Sequence, residues 1–374
     1  MPAYDVIVLG LGGMGSAAAA HLARRGMKTL GIEQFDLGHA LGSSHGHTRV
    51  IRRAYFEHPD YVTRLHAAYD LWRELEAESG DELMVLNGLM MAGAYDSGLI
   101  TGSVTAANQH GLPLEVLKPE DARTRFPGFE FSDDMRVLFD PGGGFVHVER
   151  GVLAHLESAR AHGAELIDNV RINSWSSNGS AVSVETAEST YEANALVIAA
   201  GAWSGHLLDE LDLGLEVERA VTAWFKPIDN AYQLEENCPV FAFETPGGFF
   251  YGTPQFDDHG VKVAEHRGLA PVPDPDVLDR TPNTADLVPV QRFIPLYMPQ
   301  LIPVPMDQIV CMYTMSPDSH FIVDTHPEFS NVHFAAGFSG HGFKFAPAIG
   351  MALAGLVEQG TTFESAQFLR RRSG

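Results

Sequence analysis

The chain has 374 residues, 45% of them hydrophobic, which is enough for two cores and too long for one. Lysine and arginine number 25 against 48 aspartates and glutamates, a net charge of −23 that argues against nucleic acid and anionic membrane surfaces as partners. No apolar run reaches the ~18 residues a membrane helix needs. The acidity reads either as that of an ordinary soluble protein or, more sharply, as adaptation to concentrated salt, where dense carboxylates hold water and ions and salt screens their repulsion. Only five lysines occur: Lys28, Lys118, Lys226, Lys262 and Lys344. The apolar stretch 6–23 imitates a signal peptide, but no basic region precedes it, and Asp5 stands where positive charge belongs. Two cysteines and no targeting segment point to a reducing cytoplasm.

The first elements are the most legible. Residues 6–9 form a short apolar run, expected as a strand, and Gly10, Gly12 and Gly15 follow in the spacing G-x-G-x-x-G. A helix is expected over 16–25 with Gly26 as its C-terminal cap, then a second strand over 28–32, with Glu33 at its end. Gly10 permits the tight turn, Gly12 lets backbone approach a pyrophosphate, and Gly15 lets helix and strand pack closely. The helix N-terminus offers N–H groups and partial positive charge to the phosphates. Glu33 is suited to accept hydrogen bonds from ribose hydroxyls. Strand, turn, helix, strand and acid in this order point to a dinucleotide, without separating FAD from NAD.

Residues 41–55, LGSSHGHTRVIRRAY, come where an NAD enzyme would normally continue into another helix. They are polar and dense in His and Arg. A metal site here would need His45 and His47, with His39, His58 and His66 near in sequence; H-x-H has no cysteine or carboxylate at a useful spacing, so no metal is expected. The functional reading is a loop along an anionic, aromatic cofactor, with Arg49 and Arg52 aimed at negative charge.

Four segments carry a family resemblance: SSHGHTRVIRRAYFEHPDYV (43–62), GVKVAEH (260–266), CMYTMSPDSHFIVD (311–324) and GFSGHGFKFAPAIG (337–350). With the glycine fingerprint they span essentially the whole chain. The sequence resembles the monomeric sarcosine oxidase and N-methyltryptophan oxidase family, flavoenzymes of the D-amino-acid oxidase superfamily. The resemblance implies an α/β fold: an FAD-binding Rossmann-like domain with a second, mostly antiparallel β-sheet domain for the substrate. The FAD domain is expected to be discontinuous, from 1–83, 145–213 and 317–374, leaving 84–144 and 214–316 to the substrate domain. Residues 271–283 are expected as a proline-rich loop.

The resemblance also implies an FAD held covalently through a thioether to Cys311, with Cys238 a plain thiol. Contacts to the cofactor are implied for Gly10, Gly12, Gly13, Met14, Gly15, Ser16, Glu33, Ser43, Ser44, His45, Arg49, Val170, Gly201, Trp203, Cys311, Met312, Gly340, Gly342, Phe343 and Lys344. Val170 is expected to act through its main chain at the adenine end. Arg52 and Lys344 are implied as the cations for the substrate carboxylate, Lys262 as the charge that activates oxygen, and Arg49 and Thr48 as its neighbours over the flavin. Lys262 alternates with Val261 and Val263, so it faces away from them on a strand. Tyr251 and His266 are implied at the substrate amine. The loop reads HGHTR where the family usually has an acid in place of His47, and Ala264 and Glu265 also depart from the pattern. These departures bear on the substrate side chain.

The expected activity is oxidation of an N-methyl or other secondary-amine amino acid: hydride passes to covalent flavin, the imine hydrolyses, and O2 becomes H2O2. A monomer that takes a small amino-acid substrate and O2, with neither nucleic acid nor membrane as partner, is expected. The alternatives are a flavin dehydrogenase that passes electrons to a carrier, an NAD-dependent dehydrogenase, and a non-catalytic FAD-binding protein.

Overall fold

The computed structural model describes residues 3–266 and 270–359. Strand β1 (Tyr4–Leu9) lies between two parallel neighbours, β2 (Thr29–Ile32) and Thr190–Ile198. Beyond β2 runs Glu165–Ile167, also parallel; Val332–Ala336 pairs in parallel with the end of Thr190–Ile198. The residues from Val6 to Leu9 and from Thr29 to Ile32 are all buried, as in a parallel sheet covered on both faces. Helix α1 (Gly13–Arg24) covers one face with a row of buried alanines. It packs against the helices Val148–Ala161 and Ala346–Gln359. A Cβ at Gly350 would stand 2.6 Å from the Ala17 Cβ, so this glycine sets the helix–helix distance.

The helix begins three residues earlier than expected, because Gly12 is already its N-cap and accepts the Ser16 N–H at 2.9 Å. Gly26 follows it with φ +77°. Gly15 is compulsory: its Cβ would fall 1.7 Å from the Gly10 carbonyl oxygen.

A nine-stranded sheet forms the other half, built from 89–140 and 216–315. Its pairings are antiparallel except that of Val240–Thr245 with Leu89–Ala94. Ala270–Val272 adds a short strand to its edge, against Val217–Arg219, so the proline-rich loop starts later than expected. Its core is aromatic, with Phe250 and Phe293 stacked at 4.4 Å and Phe241, Phe243 and Phe129 beside them. A three-stranded ribbon of Thr48–Ile51, Gly144–His147 and Met84–Val85 carries Thr48 and Arg49. Ile322–Thr325 and Val332–Ala336 return the chain to the first sheet. Residues 360–374, assigned to the FAD domain from sequence, lie outside the described residues.

Candidate active site

A continuous cleft runs from the glycine turn after β1 to the face of the nine-stranded sheet. At its first end, Gly12 leaves open space: a Cβ there would meet only the Ser44 hydroxyl, at 3.5 Å. That hydroxyl accepts the Gly13 N–H at 3.0 Å and ties the turn to the 41–55 loop. The Glu33 carboxylate is anchored by the N–H groups of Leu11 and Gln34, each at 2.8 Å. Its Oε2 keeps a second lone pair, so acceptor capacity remains. Val170 lines the same end, yet its N–H is donated to the Glu33 carbonyl at 2.9 Å, so its main-chain donor is not available to a ligand. Trp203 also lines the cleft, its indole N–H donated to Asp276 at 2.7 Å and its ring edge-on to Phe35.

At the other end two cations are buried. Arg52 is 6% exposed, its guanidinium over the rings of Tyr55 at 4.2 Å and Phe56 at 4.4 Å. It donates to the Glu57 carboxylate at 2.6 Å, and its Nε has no partner among the described residues. Lys344 is 4% exposed and donates to the His341 carbonyl at 2.6 Å. Burial and the nearby Arg52 push its ammonium well below the ordinary lysine range. Burial alone would raise the Glu57 carboxyl, but Arg52, His341 and Lys344 pull it down to about 2. Among the described residues, Arg52 and Lys344 face one carboxylate, Glu57, and a bound anion beside them would favour the charged form of Lys344. Met91, Leu99, Ala242 and Phe249 form its apolar wall.

Tyr251 and His266 stand beside this wall with rings 5.8 Å apart. The Tyr313 hydroxyl lies 3.3 Å from the Tyr251 hydroxyl and 3.3 Å from His266 Nδ1, which joins all three in a chain. Burial keeps Tyr313 protonated, far above the ordinary phenol range. Gly340, at φ +74°, admits this ring: a Cβ would meet it at 2.5 Å.

A charged layer begins at Arg49, which lines the cleft. Arg49 is held by the carbonyls of Thr48 and Ser43, each at 3.0 Å, with Cys311 Sγ at 3.4 Å from the same guanidinium. Burial would raise the Cys311 thiol, but the neighbouring His45 and the charge of Arg49 bring it down to about 6. Lys262 is 1% exposed and donates to the carbonyls of Gly46 at 2.8 Å and Thr48 at 2.7 Å. Burial first, then Arg49, push it well below the ordinary lysine range. The Thr48 hydroxyl meets that of Thr253 at 3.2 Å.

Residues 5–356 match the family model described as FAD dependent oxidoreductase. The chain belongs to this family. It is 41% identical over 366 residues to a monomeric sarcosine oxidase of Streptomyces avermitilis, covering 96% of this chain and 95% of that protein. It is 33% identical over 351 residues to an N-methyl-L-tryptophan oxidase of Salmonella dublin, covering 93% and 92%. Its fold matches the open form of NikD, an unusual amino acid oxidase essential for nikkomycin biosynthesis, with a TM-score of 0.88 at 24% identity over 98% and 97% of the two chains. The resemblance carried by the four motifs is thereby borne out.

In this FAD dependent oxidoreductase the cleft fits the cofactor's chemistry: a glycine cradle at one end, an acceptor at Glu33, and a buried Thr314 hydroxyl without a partner in its wall. Of the residues expected at the cofactor, Gly10, Gly12, Gly13, Met14, Glu33, Ser43, Ser44, Arg49, Val170, Gly201, Trp203, Met312, Gly340, Gly342, Phe343 and Lys344 line it. Gly15 and Ser16 stand under the turn, and the Ser16 hydroxyl is bonded to the Gly13 carbonyl at 3.3 Å. His45, Thr48, Lys262 and Cys311 stand in the layer behind. Glu265, flagged as a departure, points away from the cleft toward Gly248. Sequence reasoning passed over Glu57, Tyr313 and His341. Tyr313 was within reach, because period two on a strand puts it on the face of Cys311; Glu57 sits five residues from Arg52 with no periodic signal.

Proposed function

We propose that the protein oxidises an N-methyl or other secondary-amine amino acid, with O2 as electron acceptor and H2O2 as product. One observation carries the substrate class: Arg52 and Lys344, both buried, face an apolar pocket with only Glu57, among the described residues, to balance them. A small carboxylate anchored there supplies an anion, and the guanidinium fork matches its geometry. The apolar wall then receives the alkyl groups. The chain Tyr251–Tyr313–His266 lies beside that position and is where the amine proton is held or moved. Bound FAD supplies the two-electron oxidation of amine to imine and delivers the electrons to oxygen.

FAD would be held by the turn Gly10–Gly13, Glu33, Ser43, Ser44 and the segment 340–344, and tethered through Cys311, whose free thiol His45 and Arg49 bring down to about 6. Lys262 and Arg49 supply the positive charge that oxygen reduction needs. The proposed division is discontinuous, with 1–83, 145–213 and 317–374 binding FAD and the remainder binding substrate. A monomeric, cytoplasmic, salt-adapted protein completes the reading; none of the helices described is long and apolar enough to cross a membrane.

The test is peroxide release in concentrated salt with sarcosine, N-methyltryptophan, pipecolate, proline and D-amino acids. Turnover of a secondary amine with a free carboxylate is expected. Activity confined to primary D-amino acids, or none in yellow, folded protein, sinks the proposal.

A further inference from the structure

Away from the cleft, the fold gathers three potential metal ligands that lie far apart in sequence. His47, Asp257 and His259 each offer one ligand atom, and these atoms lie within 4.8 Å of one another. His47 comes from the loop before the ribbon strand Thr48–Ile51, and the other two from the turn between Gly248–Thr253 and Val261–Glu265. The H-x-H spacing of residues 45–47 offered no carboxylate partner; the tertiary fold delivers one to His47 and leaves His45 in the layer beside Cys311.

We propose that His47, Asp257 and His259 bind a divalent transition ion of the zinc class. Two imidazoles and one carboxylate are a donor set that suits such an ion and leaves a position for water. The ligands are held in place from behind. His47 sits at φ +67°, a backbone that side-chain-bearing residues seldom adopt. The Glu149 carboxylate fixes it by accepting the N–H groups of Gly46 at 2.6 Å and His47 at 3.1 Å, while the His47 carbonyl accepts the Val148 N–H at 2.9 Å. Asp257 is oriented too: Oδ1 accepts the His259 N–H at 3.0 Å, and Oδ2 faces His259 Nδ1 at 3.1 Å. The two imidazoles meet edge to face at 4.1 Å, and Trp224 closes one side, 5.0 Å from the His47 ring. Bonds of about 2.0–2.1 Å at a tetrahedral ion place donors about 3.3 Å apart. The remaining contraction is a side-chain rotation, and His259 is exposed enough to make it.

The site matters because of its neighbours. The Gly46 and Thr48 carbonyls that hold Lys262 flank His47 on either side, and the Lys262 ammonium lies 5.7 Å over the Trp224 ring. An ion bridging His47 to the 257–259 turn pins both segments that position Lys262. The residues alone would also make a plain aromatic stack beside a tight turn, which needs no ion.

The distinguishing experiment is equilibrium dialysis of EDTA-treated holoenzyme against Zn2+, with metal counted per chain and Co2+ absorbance as a second readout. One ion per chain is expected, weakened about tenfold or more in His259→Ala and in Asp257→Asn. An unchanged flavin spectrum in each variant shows that it has folded. His206, Asp274 and Asp276 form another cluster, and His206 lines the cleft, so His206→Ala serves as control and should bind normally. Absence of saturable binding, binding that both His259→Ala and Asp257→Asn retain, or binding lost only in His206→Ala overturns the proposal.

Discussion

Cys311 and Cys238 are the same side chain in two buried settings with opposite acidities. Burial pushes the Cys238 thiol up. At Cys311 the neighbouring His45 and the charge of Arg49 overcome burial, and the thiol falls to about 6. The sign is that of an acid made stronger by folding: thiolate is present above pH 6 and lost as pH falls through it. Flavin attachment to apoprotein is therefore expected to proceed at pH 7–8 and to slow as pH drops below about 6. Acid precipitation reads it directly, since tethered flavin colours the pellet; Cys311→Ser should leave the colour in the supernatant at every pH. Lys262→Met tests a different step. It removes a buried donor and charge while leaving Arg52 and Lys344 in place. Reoxidation of reduced enzyme by O2 should slow about 100-fold, whereas anaerobic reduction by substrate stays close to wild type. Equal losses in both half-reactions, followed by stopped-flow absorbance, would place Lys262 in the substrate pocket instead.

At the scale of elements, the strand–turn–helix at the start is read from local pattern because its constraints are local. Gly15 must be glycine because of an oxygen five residues earlier, and both lie within one turn. Gly15→Ala is expected to give protein without FAD, or none that is soluble, measured as flavin content per chain. A variant that binds a full complement of FAD would show that the turn rearranges at little cost. The nine-stranded sheet was less legible. Its aromatic strands announce themselves, but the one parallel pairing, between Leu89–Ala94 and Val240–Thr245, joins segments whose sequences carry no mark of each other. Glu57 shows the same limit: it becomes part of the pocket only because the chain turns back through Tyr55 and Phe56 under Arg52.

For the whole molecule the dominant quantity is charge. A net of −23 spread over one chain repels itself, and added salt screens that repulsion. Melting temperature is expected to rise between about 0.1 M and about 2 M KCl, with light scattering across the same series reporting the mass of a single chain. A flat melting curve would return the acidity to that of an ordinary soluble protein, and a doubled mass would end the monomer. Sequence by itself determined the family and pointed to the dinucleotide turn and to the cations Arg49, Arg52, Lys262 and Lys344 as candidates, because the turn rests on short-range spacing and the cations on contiguous motifs that carry the resemblance. Only the tertiary structure decided which charges face one another. Arg52 meets Glu57, Cys311 meets Arg49 and His45, Lys262 is clasped by the carbonyls of Gly46 and Thr48, and His47 meets Asp257 and His259. Apart from Arg52 and Glu57, the partners come together through pairing of strands and loops distant in sequence, and acidity, like metal affinity, depends on that proximity.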